Sequence, residues 1–169
     1  MSISNKAKIL VIDDDKDTNN LFKIYLEYDG FQVDSYTYPV DVLYYFKKGK
    51  FDLILLDLKM PQIDGIEIFH ALKKRDDKAI ICLTTADIPY LEQLKEKIPN
   101  IEKYVIYKPI LLRNLRDKIN GLVLEKSDIL LKYNIALGDY ILFSLEILKN
   151  IGICPSTKTI SSYLTTYNI

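Results

Sequence analysis

The 169-residue chain has no tryptophan, one histidine and two cysteines, and its 23 basic and 23 acidic residues cancel. No cluster of Cys and His exists, so neither a disulfide framework nor a zinc site is spelled out. Zero net charge removes any global attraction to nucleic acid or acidic membranes, and such binding would need a local patch. Met1 to Lys8 lacks the apolar stretch of a signal peptide. The longest apolar region, Ile135 to Leu148, is broken by Asp139 and Glu146, which argues against a membrane span. A soluble, reduced, cytoplasmic protein with no membrane partner is expected. Cys82, inside Ala79-Ile80-Ile81-Cys82-Leu83, is expected to be a buried small hydrophobe. His70 falls in a helical stretch and is expected at the surface or the core edge.

What the chain does have is alternation. Five short apolar runs occur at Lys8–Ile12, Phe31–Tyr36, Leu53–Leu56, Ala79–Leu83 and Tyr104–Tyr107. Nearly continuous apolar runs of this length suit strands buried on both faces of a parallel sheet. Between and after them lie stripes with helical spacing: Leu21, Ile24, Tyr25 and Tyr28; Val42, Leu43 and Phe46; Ile68, Phe69 and Leu72; Leu91, Leu94 and Ile98; Leu112, Leu115, Ile119 and Leu122. Each stripe is expected to face the core. Five repeats of strand and helix predict an α/β fold: a doubly wound, five-stranded parallel sheet with helices on both faces. Ligands of such sheets bind at the carboxyl ends of the strands, so the residues after each run carry the interest.

Those residues are Asp13-Asp14-Asp15, Asp57, Thr84-Thr85 and Lys108-Pro109. On one sheet edge they form a pocket of carboxylates, a hydroxyl and an ammonium. Clustered carboxylates repel one another unless a cation neutralises them. Magnesium suits oxygen donors of this kind. Asp57, once neutralised, can act as a nucleophile toward phosphorus and form an aspartyl phosphate. Lys108 and the Thr84 hydroxyl can then share the charge on the phosphoryl oxygens with the metal.

The segment Ile9 to Asp15 resembles the first strand and acidic pair of response-regulator receiver domains, the CheY-like, flavodoxin-like modules of two-component phosphorelays. Phe51 to Gly65, FDLILLDLKMPQIDG, is similar to their phosphorylation-site strand and loop, and the segments ending at Thr84 and Lys108-Pro109 are similar to two further signatures. The resemblance covers roughly residues 6 to 122. It implies that Asp57 is the phosphoacceptor, Asp14 a direct magnesium ligand, and Asp13 a ligand directly or through water. It implies that the Lys59 carbonyl completes the protein ligands, that Lys108 pairs with the phosphoryl group and that Thr84 moves toward it as the switch. The implied donor is a phosphohistidine on a sensor histidine kinase or phosphotransfer protein. The surface expected to respond is the fourth helix, fifth strand and fifth helix, near Leu91–Ile98 and Leu111–Ile119. No activity as an enzyme is expected beyond self-catalysed phosphotransfer and autodephosphorylation.

Three positions depart from the family pattern. Val105 stands where an aromatic residue is usual, with Tyr104 and Tyr107 nearby. Side chains alternate along a strand, so Tyr107 shares a face with Val105, whereas Tyr104 points the other way. Thr85 is bulkier than the family favours, and it is expected to slow phosphotransfer or hydrolysis. Lys16 replaces a common proline, which would only pre-set the start of a helix.

Residues 123–169 are expected to form a small helical extension, with helices over Glu125–Asn134 and Asp139–Asn150 and a short one bearing Ile160, Leu164 and Tyr167. Asp139 to Tyr167 resembles the first two helices of a winged-helix DNA-binding domain, with no third helix or wing before Ile169. The extension has four lysines, no arginine and near charge balance, a poor footprint for a phosphate backbone. Its second helix is apolar nearly all round and needs partners on several sides. Homodimerisation through this extension or through the fourth helix–fifth strand–fifth helix face, or protein docking, is therefore favoured over DNA binding. Two other readings compete with a phosphorylated switch. A haloacid-dehalogenase-like phosphatase would use Asp13 and Asp15, but position 17 is Asp where Thr or Val is expected, and Asp57 would have no job. A phosphorylation-independent binding module would be expected to have lost part of the acidic set.

Overall fold

The computed structural model describes residues 7–61 and 63–128. The chain divides into two units, Met1–Val123 and Leu124–Ile169. Nearly all of the second lies outside the described residues: of the helix expected over Glu125–Asn134 only 125–128 are described, and they are helical, while the helices expected beyond lie outside.

The elements alternate as the apolar runs require. They are β1 (Lys8–Ile12), α1 (Lys16–Tyr28), β2 (Gln32–Tyr36), α2 (Pro39–Tyr45), β3 (Leu53–Asp57), α3 (Gly65–Arg75), β4 (Ile80–Thr85), α4 (Ile88–Lys95) and β5 (Val105–Tyr107). A 3₁₀ turn over Ile101–Tyr104 precedes β5, and α5 is helical over 112–128. All strand pairs are parallel, in the order β2-β1-β3-β4-β5. The order reverses between β1 and β3, which opens a crevice at their carboxyl ends.

Alternation along the strands sorts the core into two layers. Leu10, Ile12, Ile54, Leu56, Ile81 and Leu83 pack with Val42, Ile68, Leu72, Leu91 and Leu94 from α2, α3 and α4. Ile9, Val11, Leu53, Leu55 and Cys82 pack with Phe22 and Leu26 of α1 and with Leu115, Ile119 and Leu122 of α5. β3 is buried along its whole length, as a central parallel strand must be.

The stripe expected to bury α1 is on the wrong side of that helix. Leu21, Ile24 and Tyr28 are 50%, 67% and 88% exposed, and Asn19, Phe22 and Leu26 are buried instead. The cause is a polar pin. Asp15 caps the helix by accepting the Thr18 N–H at 2.7 Å. One turn on, the Asn19 side-chain amide donates to the Asp13 carbonyl at 3.1 Å and the Tyr36 carbonyl at 2.9 Å. These bonds set the rotation of the helix, and the residues at i+3 and i+7 from Asn19 are Phe22 and Leu26.

Smaller differences are local. Tyr104 belongs to the 3₁₀ turn, so β5 starts at Val105, and Ile98 lies beyond the end of α4. Asp57 ends β3 and Thr84-Thr85 end β4, as expected. Cys82 is fully buried and His70 is exposed, as expected.

Candidate functional site

β1 and β3 end side by side, and the pocket is built from the residues at and just beyond those ends. Asp13 and Asp14 leave β1, Asp57 closes β3, Thr84 is the register partner of Asp57 on β4, and Lys108 comes directly after β5. Oxygens of Asp13, Asp14 and Asp57 all lie within 4.8 Å of one another. The Lys108 ammonium bridges two of these carboxylates, 2.7 Å from Asp57 Oδ2 and 3.0 Å from Asp13 Oδ2. The structure thus unites the side chains of four of the six site residues expected from the sequence, Asp13, Asp14, Asp57 and Lys108, and sets a fifth, Thr84, in register beside Asp57. The sixth, Lys59, reaches the pocket through its main chain: its N–H approaches Asp57 Oδ1 at 3.4 Å, while its side chain turns away to Asp87.

Burial sets the electrostatics. Asp13 is 0% and Asp57 6% exposed. Desolvation holds the Asp13 carboxyl above the usual carboxylate range, against the lowering effect of Lys108 and with a raising effect from Asp57. Burial works against the charge of Lys108 too, but Asp57 and Asp13 outweigh it, and its pKa is raised. Three carboxylates against one ammonium leave the pocket short of positive charge.

The donor set fits a hard divalent cation. All available ligands are oxygens, and such a cation would offset the charge deficit. The three carboxylates are not equivalent. Both oxygens of Asp13 are engaged, Oδ1 with the Asp15 N–H at 3.0 Å and Oδ2 with Lys108. Asp14 is half-buried and accepts no hydrogen bond among the described residues, so its oxygens are available. Beside it opens a cleft of about 130 Å³, walled by Lys16, Tyr38, Met60 and Pro61.

Residues 9–120 match the family model described as the response regulator receiver domain. The chain belongs to this family. A receiver is a regulatory domain, and its relatives share this one's sequence pattern. The transcriptional regulatory protein ResD of Bacillus subtilis is 36% identical over 84 residues, 50% of this chain and 35% of ResD. The probable transcriptional regulator ycf27 of Porphyridium aerugineum is 32% identical over 127 residues, 73% of this chain and 50% of its own length. The receiver chain thus spans half or less of these relatives. Among solved structures, the response regulator TrrA of Thermotoga maritima, in complex with Mg²⁺ and BeF, is 29% identical at a TM-score of 0.60, covering 69% of this chain and 98% of that one. The chemotaxis protein CheY4 of Vibrio cholerae, at 22% identity and a TM-score of 0.61, shares the fold over 69% of this chain and 98% of its own.

Asn19, Asp87 and Tyr90 shape this receiver's site and escape a reading for strand-end chemistry, while Asp64, with Gly65, is a helix-start signal in the sequence. Asn19 holds the Asp13 carbonyl, and its signal was a polar residue at helical spacing from Phe22 and Leu26. Asp64 caps α3 by accepting the Ile66 N–H at 3.0 Å. Asp87 caps α4 by accepting the Tyr90 N–H at 2.9 Å. Tyr90 donates its phenol to Asp64 at 2.6 Å. Thr85 is fully buried, and its hydroxyl accepts the Asp87 N–H at 3.0 Å, which closes the β4–α4 turn. Of the two tyrosines near Val105, Tyr104 packs with the α1/α5 layer and Tyr107 is exposed.

Proposed function

We propose that this receiver takes a phosphoryl group onto Asp57 from a phosphohistidine of a sensor kinase or phosphotransfer protein, with Mg²⁺ bound at the acidic pocket, and that the aspartyl phosphate switches a protein–protein interaction. The observation that carries the reading is the convergence of Asp13, Asp14, Asp57 and Lys108 at one strand edge. An Asp57 oxygen forms the new O–P bond as the N–P bond of the donor breaks, and the imidazole leaves with the electron pair. Asp14, Asp13, Asp57 and the Lys59 carbonyl would hold the Mg²⁺, which supplies charge neutralisation at the transferring oxygens. Lys108, already hydrogen-bonded to Asp57, takes a phosphoryl oxygen. The Thr84 hydroxyl donates to another, and its displacement moves the β4–α4 turn.

The exposed Leu21, Ile24 and Tyr28 of α1 support a helical partner, because this apolar stripe lies on the helix that directly follows the acidic pair. A histidine-bearing helix seated there would stand beside the Asp14 cleft. Residues 1–122 are the receiver in this reading. Residues 123–169 form an output or docking extension, with pairing of two copies through it or through α4–β5–α5. The names of the relatives favour a second output, at DNA, as part of a transcriptional regulator. Such a partner kinase places the receiver in the cytoplasm; no helix among the described residues is long and apolar enough to cross a membrane.

Incubation with Mg²⁺ and a small acyl phosphate, followed by intact-mass analysis, tests the proposal. A mass gain of one phosphoryl group is expected, lost on Mg²⁺ removal and lost in Asp57→Asn. An adduct that persists in Asp57→Asn would refute the assignment. Many turnovers of varied phosphoesters would favour a phosphatase.

A further inference from the structure

The loop after β3 carries the main-chain oxygen expected to face the metal, and both of its ends are fastened to the first turn of α4. At the near end, the Lys59 ammonium lies 3.4 Å from Asp87 Oδ2 and 4.2 Å from the centre of the Tyr90 ring. At the far end, the Tyr90 phenol donates to Asp64 Oδ2 at 2.6 Å, while Asp64 Oδ1 accepts the Ile66 N–H. The fastening continues into β4. The Asp87 N–H donates to Thr85 Oγ1, and the Leu58 N–H donates to the Thr84 carbonyl at 3.0 Å. Each capping aspartate therefore uses one oxygen to start its own helix and the other to hold the neighbouring element.

We infer that Tyr90 is a positioning residue for magnesium binding: its phenol, through Asp64, holds the β3–α3 loop where the Lys59 carbonyl can meet the ion. The inference rests on the metal reading of the Asp13–Asp14–Asp57 pocket and deepens it. The bond is built to persist. The Tyr90 phenol donates and the Asp64 carboxylate accepts, at 2.6 Å and partly buried from solvent. A hydroxyl–carboxylate bond of this length is charge-assisted and about twice as strong as a neutral one. The Lys59 pair is more exposed and more easily screened, so Tyr90 carries the larger share. Linkage requires the reverse effect as well: metal binding should steady the first turn of α4 through the same bonds.

Tyr90→Phe is the test, because it removes one hydroxyl without changing charge and keeps the ring under Lys59. Magnesium affinity of the unphosphorylated chain is measured by calorimetric titration. The expected loss is about five- to ten-fold, the lower part of the usual range for coupled sites. Glu92→Gln, which breaks the Glu92–Lys95 pair on the same helix, is the control for a purely structural effect and should leave the affinity unchanged. The ¹³C shift of the Lys59 carbonyl on adding Mg²⁺ is a second readout, expected to shrink in Tyr90→Phe. A wild-type chain that binds Mg²⁺ and a Tyr90→Phe chain that binds it equally well would overturn the positioning role alone. A wild-type chain that binds no Mg²⁺ would overturn the metal reading, and the positioning role with it.

Discussion

Gly65 gives the sharpest test of how the pocket is assembled. It is the first residue of α3, and its N–H donates to the Leu58 carbonyl at 3.0 Å. A Cβ added there would stand 2.2 Å from the Asp57 carbonyl oxygen and 2.6 Å from the Leu58 Cα, where ordinary contacts begin at 3.4 Å. Both obstacles are main-chain atoms at the end of the fully buried β3, so no side chain can swing aside. Gly65→Ala must therefore push α3 away from the residue that accepts the phosphoryl group. Overpacking of this kind costs ~1–3 kcal/mol, and rigid main chain places it near the upper end. The better helix propensity of Ala returns at most ~1 kcal/mol. A net loss of about 2 kcal/mol lowers the melting temperature of a unit this size by roughly 6–10 °C. Gly121 supplies the control: it lies in α5, and a Cβ there meets nothing within 4 Å. Gly121→Ala should stabilise by about 0.5–1 kcal/mol. Thermal melts followed by circular dichroism read both variants. If Gly65→Ala melts at or above the wild-type temperature, the close approach of α3 to Asp57 is wrong. The folded fraction of Gly65→Ala should also bind Mg²⁺ more weakly, because the displaced loop carries Lys59.

Asp13→Asn should raise the melting temperature of the metal-free protein at neutral pH. The buried Asp13 has a raised pKa, so its contribution is most favourable below the unfolded value of 3.8 and is lost as pH rises through the folded value. Melts across that range in chelator should show the variant losing less stability with rising pH, and added Mg²⁺ should narrow its advantage over wild type. Leu26→Ala should cost ~2–5 kcal/mol in urea unfolding because Leu26 is fully buried. Ile24→Ala, on the exposed face, should change stability by no more than about 0.5 kcal/mol; equal losses would mean that α1 is rotated. Burial pushes the Cys82 thiol up to about 12, so in a Cys154→Ser background thiol reagents should label Cys82 only on unfolding. Thr85→Ala should speed both phosphorylation and hydrolysis, read by intact mass over time; unchanged rates would leave Thr85 only its turn-closing role.

Local pattern decided much of this protein. The nearly continuous apolar runs are β1, β3 and β4, because a strand buried on both faces must be apolar along its length, and that requirement is visible in about five consecutive residues. The acidic pair, Asp57, Thr84 and Lys108 were legible for a related reason. In a parallel sheet the residues ending each strand share one edge, so strand–helix alternation alone brings together positions as distant as Asp13 and Lys108. Tertiary structure decided what depends on rotation and on contacts between loops. The α1 segment carries two apolar stripes, and the richer one is outside because Asn19 bonds to carbonyls on β1 and β2. No periodicity in the helix records those acceptors. The bracing of the β3–α3 loop by Tyr90 and Asp64 is equally silent in sequence, since 26 residues separate the partners and each alone is an ordinary helix-start residue.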